Sequence, residues 1–81
     1  MISIKILGPG CSKCRTLEAK VRDVVAKNNI AADITKVEDI NEMMSYGIMM
    51  TPALVVNEKV KSYGIIPKDE QILTWIKEGI N

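Results

Sequence analysis

The sequence predicts an α/β fold in which three helices cover a four-stranded mixed sheet, in the order β-α-β-α-β-β-α. Three observations carry that prediction. Ile2, Ile4 and Ile6 alternate with Ser3 and Lys5 at the two-residue period of a strand. From Ser12 the apolar spacing becomes helical, and from Ile30 it returns to a period of two. Ala53-Leu54-Val55-Val56 is an unbroken apolar run of strand length, as expected of a strand covered on both faces. The 81 residues form a single domain spanning 1–81, too short for a second core.

Gly8-Pro9-Gly10 ends the first strand. Over Ser12 to Asn28, Cys14, Leu17, Val21, Val24 and Val25 share one helical face, while Lys13, Arg15, Lys20, Arg22 and Lys27 lie away from it. Asn28-Asn29 breaks the helix, and Ile30 to Val37 forms a second strand. A strand, a crossover helix and a strand make a right-handed parallel unit. Asp39 caps a short helix whose inward residues are Ile40, Met43 and Met44, and Gly47 takes the left-handed conformation that closes it. Asn57-Glu58 turns the chain from the third strand into Lys59 to Tyr63. Because Glu58 is a poorer turn residue than glycine, a longer or bulged connection is expected there. Pro67 suits a first helical position, and Ile72, Leu73, Ile76 and Ile80 form the stripe of a last helix ending near Gly79.

Eleven Lys and Arg oppose ten Asp and Glu, a net charge of +1. No basic stripe is visible, so binding to nucleic acid by phosphate neutralisation is excluded. Histidine is absent, which removes the commonest general base, the commonest transition-metal ligand and any Cys-His dyad. No apolar run is long enough for a membrane span, and none has the form of a secretory leader. Two cysteines cannot build the disulfide framework of a small secreted scaffold. The expected compartment is the reducing cytoplasm, where a close cysteine pair points to redox or metal chemistry.

Cys11-Ser12-Lys13-Cys14 lies where the glycine loop becomes the first helix, and this placement says more than the spacing alone. Unpaired N–H groups and the positive end of the helix dipole favour the thiolate of Cys11. Lys13 adds to that field, and no acidic residue lies in the loop to oppose it. Cys14 is one turn further in, beside Leu17, where burial favours the thiol. The two sulfurs share one side of the first turn, close enough to open and close a disulfide. The candidate catalytic residues are therefore Cys11 as nucleophile, Cys14 as resolving thiol and Lys13 as electrostatic helper. A second reading stays open: a binding module in which both thiolates hold Cu(I), or share zinc between subunits, because no further Cys or His is present to close a zinc shell.

Beyond the motif itself, Gly8-Pro9-Gly10-Cys11-Ser12-Lys13-Cys14, Thr51-Pro52-Ala53-Leu54-Val55-Val56-Asn57 and Gly64-Ile65-Ile66-Pro67 give the chain a resemblance to the thioredoxin/glutaredoxin superfamily. It looks closest to the small prokaryotic thioredoxin-like proteins with a redox-active disulfide. The resemblance implies a thioredoxin-like fold and a cis Thr51-Pro52 bond beside the cysteines. It also implies a client site shaped by Gly10, Ser12, Met50, Thr51 and Pro52, with the Thr51 backbone pairing with an extended segment. The activity implied is that of a protein-disulfide oxidoreductase with no bound cofactor and no metal. Its partners would be protein disulfide clients and an electron-donating reductase, and the chain would work as a monomer. Thioredoxins carry Trp before the first cysteine and Gly-Pro between the two, where this chain has Gly10 and Ser12-Lys13. Glutaredoxins carry Gly-Gly-acidic after the hairpin for glutathione, where this chain has Gly64-Ile65-Ile66.

The copper-chaperone pattern, which also opens with a strand, a CxxC loop and a helix, carries Met where Pro9 stands and continues strand, strand, helix, strand. A helix from Asp39 to Tyr46 contradicts it. Met43, Met44, Met49 and Met50 read as filling around that helix, with Met49 or Met50 also placed to line an adaptable client groove. Tyr46, Tyr63 and Trp75 are too scattered for a base-stacking platform.

Overall fold

The computed structural model describes residues 2–48 and 50–80, apart from the Ile80 side chain. Met49 therefore lies outside the described residues. β1 (Ile2–Leu7) leads to α1 (Ser12–Lys27), β2 (Ala32–Val37), α2 (Ile40–Ser45), β3 (Ala53–Val56), β4 (Lys59–Tyr63) and α3 (Asp69–Ile80). This is the predicted order. The sheet runs β2-β1-β3-β4, with β1 parallel to β2 and antiparallel to β3, and β3 antiparallel to β4. The register pairs Leu7 with Val37 on one side and with Ala53 on the other. Four segments consequently converge at one end of the sheet: the loop after β1, the chain leaving β2, the segment entering β3 and the chain leaving β4. That convergence positions the site.

Strand alternation divides the interior into two layers. Ile2, Ile4, Ile6, Leu54 and Val56 pack with Leu17, Val21 and Val24 of α1 and with Ile72 and Ile76 of α3. On the opposite face Leu7, Val37, Ala53 and Val55 pack with Met43 and Ile48. β3 contributes to both layers, which is why it reads as an unbroken apolar run.

Several boundaries and faces differ from the expectation. α1 ends at Lys27 and β2 begins at Ala32, because Asn28 caps the helix and Asn29 turns the chain at φ 52°. In α2 the Asp39 carboxylate accepts from the Asn41 N–H at 2.8 Å, and Gly47 closes the helix at φ +73°, both as expected. Only Met43 faces inward, however; Ile40 and Met44 are 69% and 66% exposed. A six-residue helix presents a single turn to the sheet, so the flanking positions are left outside.

The hairpin is tight: Val56 pairs with Lys59, leaving two turn residues at φ 50° and 68°. The irregularity expected in the loop lies instead between Leu54 and Val55. Glu58 accepts this left-handed conformation while held by Lys5 at 2.9 Å and by the Tyr46 hydroxyl at 2.8 Å. Lys68, rather than Pro67, precedes the first helical turn of α3, its carbonyl accepting from Ile72 at 3.0 Å. The helix also runs through Gly79, where a Cβ would come within 2.8 Å of Ile2 Cδ1 and 3.0 Å of Val56 Cγ1. Glycine serves close packing there, one residue before α3 reaches its end at Ile80, near where the sequence placed it.

Candidate active site

Cys11 is exposed at the N-cap of α1 with extended backbone, and its carbonyl accepts the first helical hydrogen bond from Arg15 at 3.0 Å. No acidic residue occupies the first turn of that helix. Cys14 faces the core, 5% exposed, and its sulfur lies 2.7 Å from that of Cys11. Both are free thiols. The pair polarises in opposite directions. Cys11 is lowered from the ordinary thiol range, first by a hydrogen bond from Cys14 and then by the Cys14 backbone N–H, with the Lys13 N–H adding to them. Burial pushes Cys14 up, and the neighbouring Cys11 pushes it further. The bias is toward the thiolate at the accessible sulfur and toward the thiol at the buried one, the division of labour that disulfide exchange requires.

Of the other expected site residues, Thr51 comes near the pair, its Cβ 3.7 Å from where a Gly8 Cβ would stand beside the Cys14 sulfur. Gly10 has φ +86°, a conformation that favours glycine, and Ser12 opens α1 with its carbonyl accepting from the Thr16 hydroxyl. Lys13 is exposed, and it lowers Cys11 through its backbone N–H. The Thr51–Pro52 bond is cis. Pro52 is buried, its carbonyl accepting from the Gly64 N–H at 2.8 Å, while Thr51 is half-buried. Met50 is 56% exposed and packs against Gly64.

Tertiary structure adds residues that local pattern does not reveal. Glu38, just past β2, brings a carboxylate oxygen to 3.4 Å from where a Gly10 Cβ would stand, so the loop does have an acidic neighbour, supplied from elsewhere in the chain. A narrow cleft behind Cys14 is lined by Glu18, Lys36 and Glu38. Glu18 sits one turn after Cys14 with its side chain 17% exposed, bound by Arg22 at 2.9 Å and Lys36 at 3.6 Å. Arg22 first, and Lys36 after it, hold the Glu18 carboxyl below its usual range. It is thus an ionised group beside Cys14 at neutral pH. The i, i+4 spacing of Cys14 and Glu18 was a usable sequence signal for this neighbour.

An apolar groove of about 460 Å³ opens beside the cysteine loop, lined by Pro9, Ile40, Met43, Met44, Ile48 and Thr51. A larger hollow, about 670 Å³, is lined by Ile2, Asn28, Ile30 and Lys77 and includes none of the cysteine-loop residues. Of the two, only the smaller borders the cysteine loop, through Pro9. Among the described residues no helix is long and apolar enough to cross a membrane.

A mixed four-stranded sheet with helices on both faces, carrying a polarised CxxC pair at a helix start opposite a cis-proline, defines a thiol–disulfide oxidoreductase of thioredoxin-like architecture. Comparison with known proteins agrees: a family model described as a thioredoxin domain matches residues 2–77. A thioredoxin of Methanothermobacter thermautotrophicus is 31% identical over 72 residues, covering 89% of this chain and 94% of that protein. A thioredoxin of Methanocaldococcus jannaschii is 34% identical over 77 residues, covering 95% and 88% respectively. The chain belongs to the thioredoxin domain family.

Proposed function

We infer that this chain exchanges electrons with protein disulfides through Cys11 and Cys14, with Cys11 as the attacking thiolate. The observation that carries the reading is the exposed, lowered Cys11 thiol with the Cys14 sulfur 2.7 Å behind it. Cys11 attacks a client disulfide, forming a Cys11–client bond as one client sulfur leaves as thiolate and takes a proton. Cys14 then gives up its proton and bonds to the Cys11 sulfur. The second client sulfur departs, two electrons have passed to the client, and Cys11–Cys14 is the oxidised product. An electron-donating reductase restores the dithiol.

The client surface in this reading comprises Gly10, Ser12, Met50, Thr51 and Pro52, with the Thr51 backbone free to pair with an extended segment. Its apolar character supports the reading: Ile40, Met44, Met50, Tyr63 and Ile65 are each more than half exposed, and they lie on α2, in the cis-proline segment, at the end of β4 or just after it. Such exposed apolar surface marks a place where other chains dock. Lys13 acts on Cys11 as the neighbouring cation and through its N–H. The protein works in this reading as a single-domain monomer in the reducing cytoplasm, the compartment in which a close cysteine pair serves redox chemistry rather than structural cross-linking.

Insulin disulfide reduction, with candidate reductases supplying electrons, tests the assignment. Cys11→Ser is expected to abolish turnover, and Cys14→Ser to trap a covalent client adduct on Cys11. A Cys11→Ser variant with unchanged turnover would overturn it.

A further inference from the structure

Gly8, the residue after β1, is buried, and its N–H donates to the Val37 carbonyl at 2.9 Å, extending the parallel ladder past Leu7. Its φ is not among the positive values of the chain, so the backbone here does not call for glycine. Space does. A Cβ at Gly8 would overlap the Cys14 Sγ, stand 3.4 Å from the Cys14 Cβ and lie 3.7 Å from the Thr51 Cβ. The sulfur of Cys14 occupies the volume into which any other residue would place its first side-chain atom.

From this packing we infer that Gly8 is the positioning residue of the resolving step, its missing side chain forming the seat that keeps the Cys14 sulfur within reach of Cys11. The inference rests on the exchange reading above. β1 is tied to its neighbours on both sides, and Cys14 is fixed by the first turn of α1. A methyl at position 8 therefore leaves rotation about the Cys14 χ1 as the readiest relaxation, and that rotation carries Sγ into another staggered well. Only one bond-making event needs the seat. Attack by Cys11 on the client forms no bond to Cys14. In the second step the Cys14 sulfur, after releasing its proton, bonds to Cys11 while the Cys11–client bond breaks and the client sulfur leaves as thiolate to take up a proton.

The test compares Gly8→Ala with wild type in a single turnover on insulin, quenched with acid and read by mass spectrometry. Misplacing a reacting atom by about 1 Å costs up to about 100-fold, so the mixed disulfide on Cys11 is expected to persist at least about tenfold longer in Gly8→Ala. The pH profile of Cys11 alkylation moves upward as well, because the S–H donor has turned away. Equal lifetimes and an unchanged profile overturn the inference. A Cys14→Ser variant that forms no mixed disulfide instead sinks the exchange reading. The packing itself is checked without activity by urea unfolding of Gly8→Ala, Cys14→Ala and the double variant. Because the overlap disappears with the sulfur, the double variant is expected to recover stability lost in Gly8→Ala; strictly additive losses overturn the seat.

Discussion

Ile40→Ala measures how much of the client's hold comes from the groove beside the cysteines. Removing three buried carbons is worth about 2.4 kcal/mol at full burial, at about 0.8 kcal/mol per carbon. Ile40 is 69% exposed in the free protein, so roughly that share of the contact remains to be made with a client. The expected loss is about 1.6 kcal/mol when the client covers the side chain completely, or about fifteenfold in kcat/KM. Insulin reduction supplies the protein client, and a small aromatic disulfide too short to reach α2 supplies the control. The loss is expected with insulin alone. An equal loss with both substrates would mean damage to the cysteine site, and no loss with either would remove Ile40 from the client surface. Because Ile40 is mostly exposed, thermal stability is expected to change little.

Cys14→Ala removes the largest influence lowering Cys11, the hydrogen bond from the partner thiol, so the midpoint of Cys11 alkylation by iodoacetamide is expected at higher pH than in wild type. Lys13→Glu replaces a cation by an anion beside the same thiolate and is expected to raise the midpoint too; an unmoved profile would leave only the backbone N–H as this residue's contribution. Glu58 has a folded carboxyl held below its usual range by Lys5 first and Tyr46 next. Its contribution to stability is accordingly present above the unfolded carboxylate value and lost as pH falls through the lower folded one. The difference in thermal midpoint between wild type and Glu58→Gln is expected to shrink as buffers are taken from neutral to strongly acidic, and a difference that grows would contradict the Lys5–Tyr46–Glu58 network.

The element order, the capping of α2 by Asp39, the closing turn at Gly47 and the location of both cysteines were all legible in the chain, because each depends on residues within a turn or two of one another. The same local logic misplaces Ile40 and Met44, which have the spacing of buried residues but lie beyond the reach of so short a helix. It finds the end of the last helix near Gly79 but not the reason for glycine there, which comes from Ile2, at the other end of the sequence.

What the amino-acid order determined by itself, then, was the alternation of strand and helix periods and a cysteine pair seated at a helix start, since periodicity and the helix dipole act over a few residues. Tertiary structure alone decided what surrounds that pair. Glu38 reaches Gly10 and Lys36 reaches Glu18 beneath Cys14, while elsewhere on the sheet Tyr46 reaches Lys5 across a separation of 41 residues. These meetings follow from the register that pairs Leu7 with both Val37 and Ala53. A one-residue slip would turn each side chain to the opposite face, so the register, and with it the set of charged side chains brought beneath Cys14, is fixed only when both faces of the sheet pack together.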